Sequence, residues 1–399
     1  MATTSERARQ WTGPALFSFG FRPFFLFAAL WAGLIMGLWL SLLNGADILP
    51  LALDPVSWHA HEFLFGYLSA VVAGFLLTAV PNWTGTLPVV GWPLAALSSL
   101  WIIGRLAMSS AGLWPPLWVA LADLGFLLAL ALFLAREIVT GRNWKNLIVL
   151  AALLAFLSGN ALFHLDAASD RFPAAGAGIR LGLGAGIFLI AVIGGRVVPS
   201  FTRNWLVKRG HEHLPAPPMQ SFDKLCLLAL VLALAAWVVL PESAMSGGLL
   251  AMTGALHMLR LRRWRGWATL SEPLVWVLHL AYLFVPLGAL ALGLAILTEA
   301  AHLAAASLHV WTIGAIGTMS LAVMTRATLG HTGAALSAGA GSVMIYLAMP
   351  AALTFRLIAP LGDDPALWHL LSGGAWMAGY LGFALLYGPR LLRRRPSAE

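Results

Sequence analysis

Histidine is the residue type in this chain whose chemistry and spacing best suit metal binding. There are eleven histidines in 399 residues, and two of them lie two positions apart in the run Trp58-His59-Ala60-His61-Glu62. The single cysteine, Cys226, leaves no partner for a disulfide and excludes a thiolate cluster. A metal must therefore be bound by imidazole, carboxylate or thioether, of which imidazole suits copper and iron. The five candidate metal ligands are His59, His61, His164, His279 and His309.

The separation of His279 and His309 in depth suggests a second kind of cofactor. A rise of about 1.5 Å per residue puts roughly 10 Å between them across a membrane, whereas metal–nitrogen bonds are about 2 Å long. If both bind metal, they serve two centres or opposite faces of a large planar cofactor, and haem meets the second geometry. Haem propionates are suitable partners for arginine, and we expect Arg105 and Arg180 to hold them. The predicted cofactor-binding residues are His59, His61, His309, His279, Arg105 and Arg180, and the expected cofactors are a haem, of b type, and copper.

Membrane-spanning helices must position these residues. Hydrophobic residues make up 60% of the chain and charged residues 10%, with a mean hydropathy of +0.84, which excludes an ordinary soluble protein. Apolar stretches of about 20 residues predict twelve spans: 22–44, 57–80, 91–109, 114–137, 144–165, 175–199, 222–240, 244–261, 271–297, 302–325, 338–360 and 366–388. The expected fold class is therefore all-α, a polytopic membrane protein forming a single domain over residues 1–399. Residues 1–21 and 389–399 form a short N-terminal segment and a basic tail.

Basic residues fall in alternate loops, and the positive-inside rule then places both termini in the cytoplasm. The same bias explains the net charge of +8, so lipid is an expected partner and nucleic acid is not. We expect the basic run from Arg260 to Arg265 to face lipid headgroups and His257 to lie at the membrane interface.

Other ionisable residues within the spans have more than one reading. Asp123 lies mid-span and could pair with Arg105 or Arg180, or carry protons. Tyr282 follows His279 by one turn, so the pair could relay a proton or form a core hydrogen bond. At the predicted inner helix ends, glycine, proline and threonine accompany four arginines, as expected of broken helix ends that line a pocket. These arginines are Arg22, Arg196, Arg203 and Arg326.

Four motifs together resemble those of the NnrS family. They are Phe-Arg-Pro-Phe-Phe at 21–25, Trp-His-Ala-His-Glu at 58–62, Gly-Gly-Arg-Val-Val-Pro at 194–199 and Arg-Ala-Thr-Leu-Gly-His-Thr-Gly at 326–333. The resemblance covers essentially the whole chain. It implies a multi-pass protein of the bacterial inner membrane that contains haem and copper and takes part in denitrification and in the response to nitric oxide and nitrosative stress.

The residues and the resemblance together predict a haem- and copper-binding protein that binds or processes nitric oxide, with an electron donor as a further partner. Whether it turns nitric oxide over or only senses it stays open, and no catalytic residue is assigned. Haem–copper oxidases and nitric oxide reductases are similar in outline, but they carry an adjacent histidine pair that is missing here. The alternative is a proton-coupled transporter of an anion or metabolite, which an internal repeat would favour; comparing residues 1–200 with 201–399 gives no convincing repeat.

Overall fold

The computed structural model describes residues 11–394, except for the side chains of residues 301 and 302. Within that range every regular element is helical and no strand occurs, which confirms the all-α fold class. Helices are expected because each backbone N–H in lipid must find its acceptor within its own segment. Residues 1–10 of the predicted N-terminal segment and residues 395–399 of the predicted basic tail lie outside the described residues.

Twelve long helices, α1 to α12, correspond one to one with the twelve predicted spans. In chain order they are Phe21–Leu43, Pro55–Thr84, Trp92–Ser109, Pro116–Thr140, Leu147–Ala168, Ala177–Lys208, Ser221–Val239, Ala244–Arg262, Pro273–Leu297, a tenth in the three parts Ala301–His309, Val310–Gly317 and Thr318–Thr332, Ala340–Ile358 and Pro365–Leu392. Short 3-10 turns lie at Ala15–Ser18, Ala111–Leu113, Trp144–Asn146, Pro173–Ala175 and Gly266–Thr269.

Ten of these helices are long and apolar enough to cross a membrane. The other two are α3 and α8, whose composition is more polar: α3 carries Arg105, and α8 carries His257 and Arg260. Each of these three side chains is buried within the protein. These three polar side chains therefore make their contacts inside the protein.

Two helices contain π-helical segments, and in both the segment begins directly after a histidine. In α2 it covers Glu62–Tyr67, after His61, and in α10 it covers Val310–Gly317, after His309. The π-helix is rare and often occurs at functional sites.

The same two helices share a spacing with α6. A glycine and a threonine lie 18 positions apart in all three: Gly66 and Thr84 in α2, Gly184 and Thr202 in α6, and Gly314 and Thr332 in α10. The three glycines, and likewise the three threonines, are separated by 118 and 130 residues.

The chain divides into two compact units. Unit 1 comprises the described parts of Met1–Gly182, Met324–Ala335 and Tyr380–Glu399, and unit 2 comprises Leu183–Val323 and Leu336–Gly379. Small residues allow close helix packing in both units, as is common in membranes. In unit 1, a Cβ added to Gly159 of α5 would lie 2.7 Å from the backbone nitrogen of Gly182 in α6. In unit 2, a Cβ on Gly293 of α9 would lie 2.7 Å from the carbonyl oxygen of Gly247 in α8.

Candidate functional site

The strongest candidate site lies in unit 1, where α2, α4 and α5 bring His61, Asp123 and His164 together. One ligand atom from each residue can be chosen so that all three lie within 4.8 Å of one another. The Nε2 atoms of His61 and His164 each lie 3.0 Å from Asp123 Oδ2. The carboxylate oxygen and the two imidazole nitrogens therefore face a common point.

The start of α2 sets the position of His61. Asp54 caps the helix by accepting a hydrogen bond from the Ser57 backbone N–H at 2.9 Å, and Pro55 occupies the first turn. The π-helical segment then begins at Glu62. Positions two apart on a helix differ by about 200°, so His59 and His61 point in different directions. His59 accordingly stacks on Trp39 with ring centroids 4.2 Å apart, away from the contacts of His61.

The close approach of α5 to α6 at Gly159 holds the next contributors in place. Asn160 and His164 are four residues apart on α5 and so share a helix face. Asn160 donates a hydrogen bond to Asp123 Oδ2 at 2.7 Å, and its own Oδ1 lies 3.0 Å from His61 Nε2. His61 Nε2 thus faces two acceptor oxygens, of Asp123 and of Asn160.

A second ring of contacts fixes the orientation of these side chains. His61 Nδ1 lies 3.0 Å from Glu62 Oε1, and Trp31 Nε1 donates to Glu62 Oε2 at 2.9 Å. Arg105 bridges the two carboxylates: one Nη donates to Glu62 Oε1 at 2.5 Å and the other donates to Asp123 Oδ1. Partners of this kind orient the ligands of metal sites in other proteins.

The ionisable residues of this cluster are buried, so their charges must be balanced within the protein. His61 and Glu62 are 0% exposed, Asp123 is 2% and Arg105 is 3%. Two carboxylates lie beside one guanidinium, so one further positive charge would make the cluster neutral. That charge could be a second proton on His61 or a metal cation at Nε2.

The glycine at position 66 is required by this packing. A Cβ there would lie 2.5 Å from Arg105 Nη1 and 2.8 Å from Glu62 Oε2. Trp101 Nε1 also donates to the carbonyl oxygen of Gly66 at 3.0 Å. Gly66 therefore lies within the π-helical segment and also leaves space for the ion pair of Arg105 and Glu62.

The other predicted site residues lie apart from this cluster. Arg180 donates to the carbonyl oxygen of Ala175 at 2.5 Å. In unit 2, His279 Nε2 lies 2.7 Å from Thr202 Oγ1, and His309 Nδ1 lies 2.6 Å from the carbonyl oxygen of Ala305. Of the five predicted metal ligands, the structure brings together His61 and His164.

A second buried cluster, in unit 2, corrects two predictions. Arg260 and His257 were expected at the membrane surface, but both are 0% exposed. Arg260 donates from Nε to Asp223 Oδ1 at 2.9 Å and from Nη1 to the Tyr282 hydroxyl at 2.7 Å. His257 Nδ1 lies 2.9 Å from the same hydroxyl. The predictions relied on the basic run that begins at Arg260. They were wrong because Asp223 of α7 offers Arg260 a buried carboxylate, a contact that the basic run does not indicate.

The same contacts bear on the two readings of Tyr282. Its hydrogen-bond partners are His257 and Arg260, while His279 bonds to Thr202 instead. The pairing of Tyr282 with His279 was therefore wrong. Two residues one turn apart share a face, but α8 packs closely on α9 and supplies Tyr282 with nearer partners.

Arg22, one of the four arginines predicted to line a pocket, has backbone partners instead. Its Nη1 donates to the carbonyl oxygens of Arg390, Leu391 and Arg393 at 3.1, 2.8 and 2.8 Å. These carbonyls belong to the end of α12, where helix geometry leaves them unpaired. Arg22 therefore caps the last helix and is not available to a mobile anion.

Sequence reasoning found part of the unit 1 cluster. It named His61 and His164 as ligands, and the structure confirms the suggested pairing of Asp123 with Arg105. It gave no role to Asn160 or to Glu62. One signal was present for each, since Asn160 is four residues before His164 and Glu62 directly follows His61.

A comparison with protein-family models matches residues 15–395 to the NnrS family, described as NnrS protein. The comparison with curated proteins gave no match.

Proposed function

The chain belongs to the NnrS family, which is linked to the response to nitric oxide, and we propose that it binds haem and copper and binds or processes nitric oxide. It does so as a multi-pass protein of the bacterial inner membrane, in denitrification or nitrosative stress, with electrons from a partner donor. The observation that carries the proposal is the convergence of His61, His164 and Asp123 on one point.

The donor set of this cluster fits copper. Two imidazoles and a carboxylate are ligands that copper and iron accept. His61 has Glu62 on its Nδ1 side, so an Nδ1–H donated to Glu62 leaves the Nε2 lone pair for the metal. Asp123 supplies negative charge through Oδ2, while Arg105 holds its Oδ1. Bound copper would supply a one-electron redox centre, and the protein residues would orient it and exclude bulk water by their burial.

His309 is suited to hold a haem, which would supply the centre that binds nitric oxide. A carbonyl oxygen can only accept a hydrogen bond, so the contact with Ala305 makes Nδ1 the donor. The Nε2 lone pair is then free to bind a metal, which is the arrangement usual for ligating histidines. The proposal assigns haem to His309 and copper to His61 and His164.

The test is metal analysis and optical spectroscopy of the detergent-purified, full-length protein. His61→Ala and His164→Ala should each lose most of the copper, while His213→Ala, a change to an exposed loop histidine, should keep it. His309→Ala should lose haem and the spectral change on adding nitric oxide. Full haem content and an unchanged nitric oxide spectrum in that variant would refute the haem assignment.

One observation favours the second candidate, a proton-coupled anion transporter. The glycine–threonine spacing shared by α2, α6 and α10 is suited to this candidate, because internal repeats are frequent in transporters. The two candidates differ in what the purified protein contains. A colourless, metal-free protein from haem-replete cells, together with anion uptake into proteoliposomes, would favour transport.

A further inference from the structure

The basic run at the end of α8 divides into one buried arginine and three arginines that line a cavity. Arg260 is buried and donates to Asp223. The other three, Arg262, Arg263 and Arg265, line a cavity of about 550 Å³ within unit 2. The run therefore brings three guanidinium groups to one cavity, while Arg260 serves the interior of the protein.

This cavity lies where the ends of three helices meet. Its walls include residues from the first turn of α7, the last turn of α8 and the 3-10 turn before α9. Helices α7 and α9 are long and apolar enough to cross a membrane, and α8 packs against both. Because the ends of such helices lie at the depth of the lipid headgroups, we place the cavity at the membrane boundary. The predicted topology puts this end of the helices on the cytoplasmic side.

Apolar side chains form much of the remaining wall, and two of them are exposed. The wall includes Phe222, Leu259 and Trp267, of which Leu259 is 53% and Trp267 55% exposed. Tryptophan is common at the membrane interface, where its ring lies among the headgroups. A ligand that has both a charged group and an apolar part therefore suits this cavity better than a small inorganic ion does.

Two of the arginines lie over aromatic rings of the same wall. The guanidinium carbon of Arg263 lies 4.9 Å from the ring centre of Phe222, and that of Arg265 lies 5.8 Å from the ring centre of Trp267. Arg265 also has a left-handed backbone conformation, with a φ of 57°, which is uncommon for a residue with a side chain. Stacking restricts these two side chains before a ligand arrives, so less conformational entropy is lost when they bind it.

Protein carboxylates compensate only part of the positive charge at this cavity. Arg263 Nη1 lies 4.0 Å from Asp223 Oδ2, but Arg260 lies closer to that carboxylate, at 2.9 Å. Among the described residues, no ion pair joins Arg262 or Arg265 to a carboxylate, and Arg265 Nε has no hydrogen-bond partner. The cavity therefore attracts an anion, and the planar fork of a guanidinium matches the oxygens of a phosphate group.

We propose that Arg262, Arg263 and Arg265 bind the phosphate group of an anionic phospholipid, whose acyl chains run along the exposed face of α8 at Leu259. Basic pockets between membrane helices on the cytoplasmic side bind phospholipid headgroups in other proteins. The proposal does not depend on the haem and copper assignments, because none of the residues assigned to those cofactors lines this cavity.

The test measures the binding of phosphatidylglycerol to the full-length protein in detergent by native mass spectrometry. The wild-type protein should bind it saturably and more tightly than phosphatidylcholine, whose headgroup has no net charge. Arg262→Gln combined with Arg265→Gln should weaken binding at least about tenfold, because each arginine near an anionic lipid contributes about fivefold in affinity. Changing the same two residues to lysine keeps the charge but loses the fork, and we expect an intermediate affinity.

The matched control removes two other positive charges from unit 2, by Lys208→Gln combined with Arg209→Gln. Both residues are exposed at the end of α6, and Arg209 also lies over an aromatic ring, 4.7 Å from the ring centre of Trp205. Neither residue lines the cavity, so this variant should keep most of the affinity. An unchanged midpoint temperature of unfolding in lipid-free detergent would show that both double variants fold.

Three results would overturn the proposal. Equal losses of affinity in the two glutamine double variants would show that basic residues attract anionic lipid without a defined site. Equal affinities of the wild-type protein for phosphatidylglycerol and phosphatidylcholine would show that the cavity does not recognise net charge. Displacement of phosphatidylglycerol by inorganic phosphate at equal concentration would show that the cavity binds free phosphate and not a lipid.

Discussion

Replacing Arg105 with glutamine tests the organisation of the unit 1 cluster directly. Among the ion pairs of the described residues, Arg105 is the one arginine or lysine that touches both Glu62 and Asp123. Glutamine is polar and somewhat shorter but carries no charge. The substitution therefore leaves two buried carboxylates with His61 alone as a shared partner.

The expected cost follows from burial and distance. Two opposite charges about 4 Å apart attract by about 4 kcal/mol at an effective dielectric constant of 20. Desolvation offsets much of this attraction, but removal of one partner from a buried pair still costs about 3–5 kcal/mol. An unfolding entropy of about 2.1 cal/mol/K per residue gives about 0.8 kcal/mol/K for a chain of this size. The midpoint temperature of unfolding should therefore fall by about 4–6 °C.

The chain contains its own reporter for this measurement. Cys226 is its single cysteine and is buried, so a thiol-reactive fluorophore labels it as the protein unfolds on heating. Arg171→Gln is the matched control, because Arg171 is 65% exposed in its ion pair with Asp166, and exposed pairs stabilise little. A second control, Arg105→Gln combined with Glu62→Gln, removes one of the unpaired carboxylates and should recover part of the lost stability.

Metal content of the Arg105→Gln protein completes the test. We expect copper to fall, because Asp123 loses the contact that turns its Oδ2 toward the histidines. If Arg105 instead holds a haem propionate, haem should fall more than copper. Equal unfolding temperatures for Arg105→Gln and Arg171→Gln would refute the reasoning about the buried ion pair.

Three further substitutions test other parts of the structure. Gly66→Ala places a methyl group against the guanidinium of the unit 1 cluster and should lower copper content, whereas Gly125→Ala meets nothing within 4 Å and should not; atomic absorption on both decides. Arg260→Gln removes the nearer of the two arginines paired with the buried Asp223 and should cost about 3–5 kcal/mol with copper retained, while Arg262→Gln, at an exposed position, should not shift the thermal midpoint. Arg22→Gln removes three hydrogen bonds from the end of α12, and limited proteolysis should then cut the C-terminal segment faster than in the wild type.

The sequence predicted the positions of the helices well, but it predicted poorly which face of each helix is turned toward its neighbours. All twelve spans match helices because an apolar stretch has one stable backbone arrangement in lipid, with every N–H bonded within the segment. Hydropathy records how apolar a segment is, but it does not record which face of the helix meets which neighbour. Arg260 shows the result: its place in a basic run suggested the surface, and its contact with Asp223 buries it.

The candidate site was likewise predicted from the sequence only in part. The sequence by itself determined which residue types are available, since one cysteine and eleven histidines make imidazole and carboxylate the principal metal ligands. It also contained the 18-residue glycine–threonine spacing that α2, α6 and α10 share. Only the tertiary structure decided that His61 and His164 meet at Asp123 while His59 turns to Trp39. The physical reason is that these contacts join residues on different helices, and their geometry depends on close packing at glycines such as Gly66 and Gly159, which local sequence patterns do not specify.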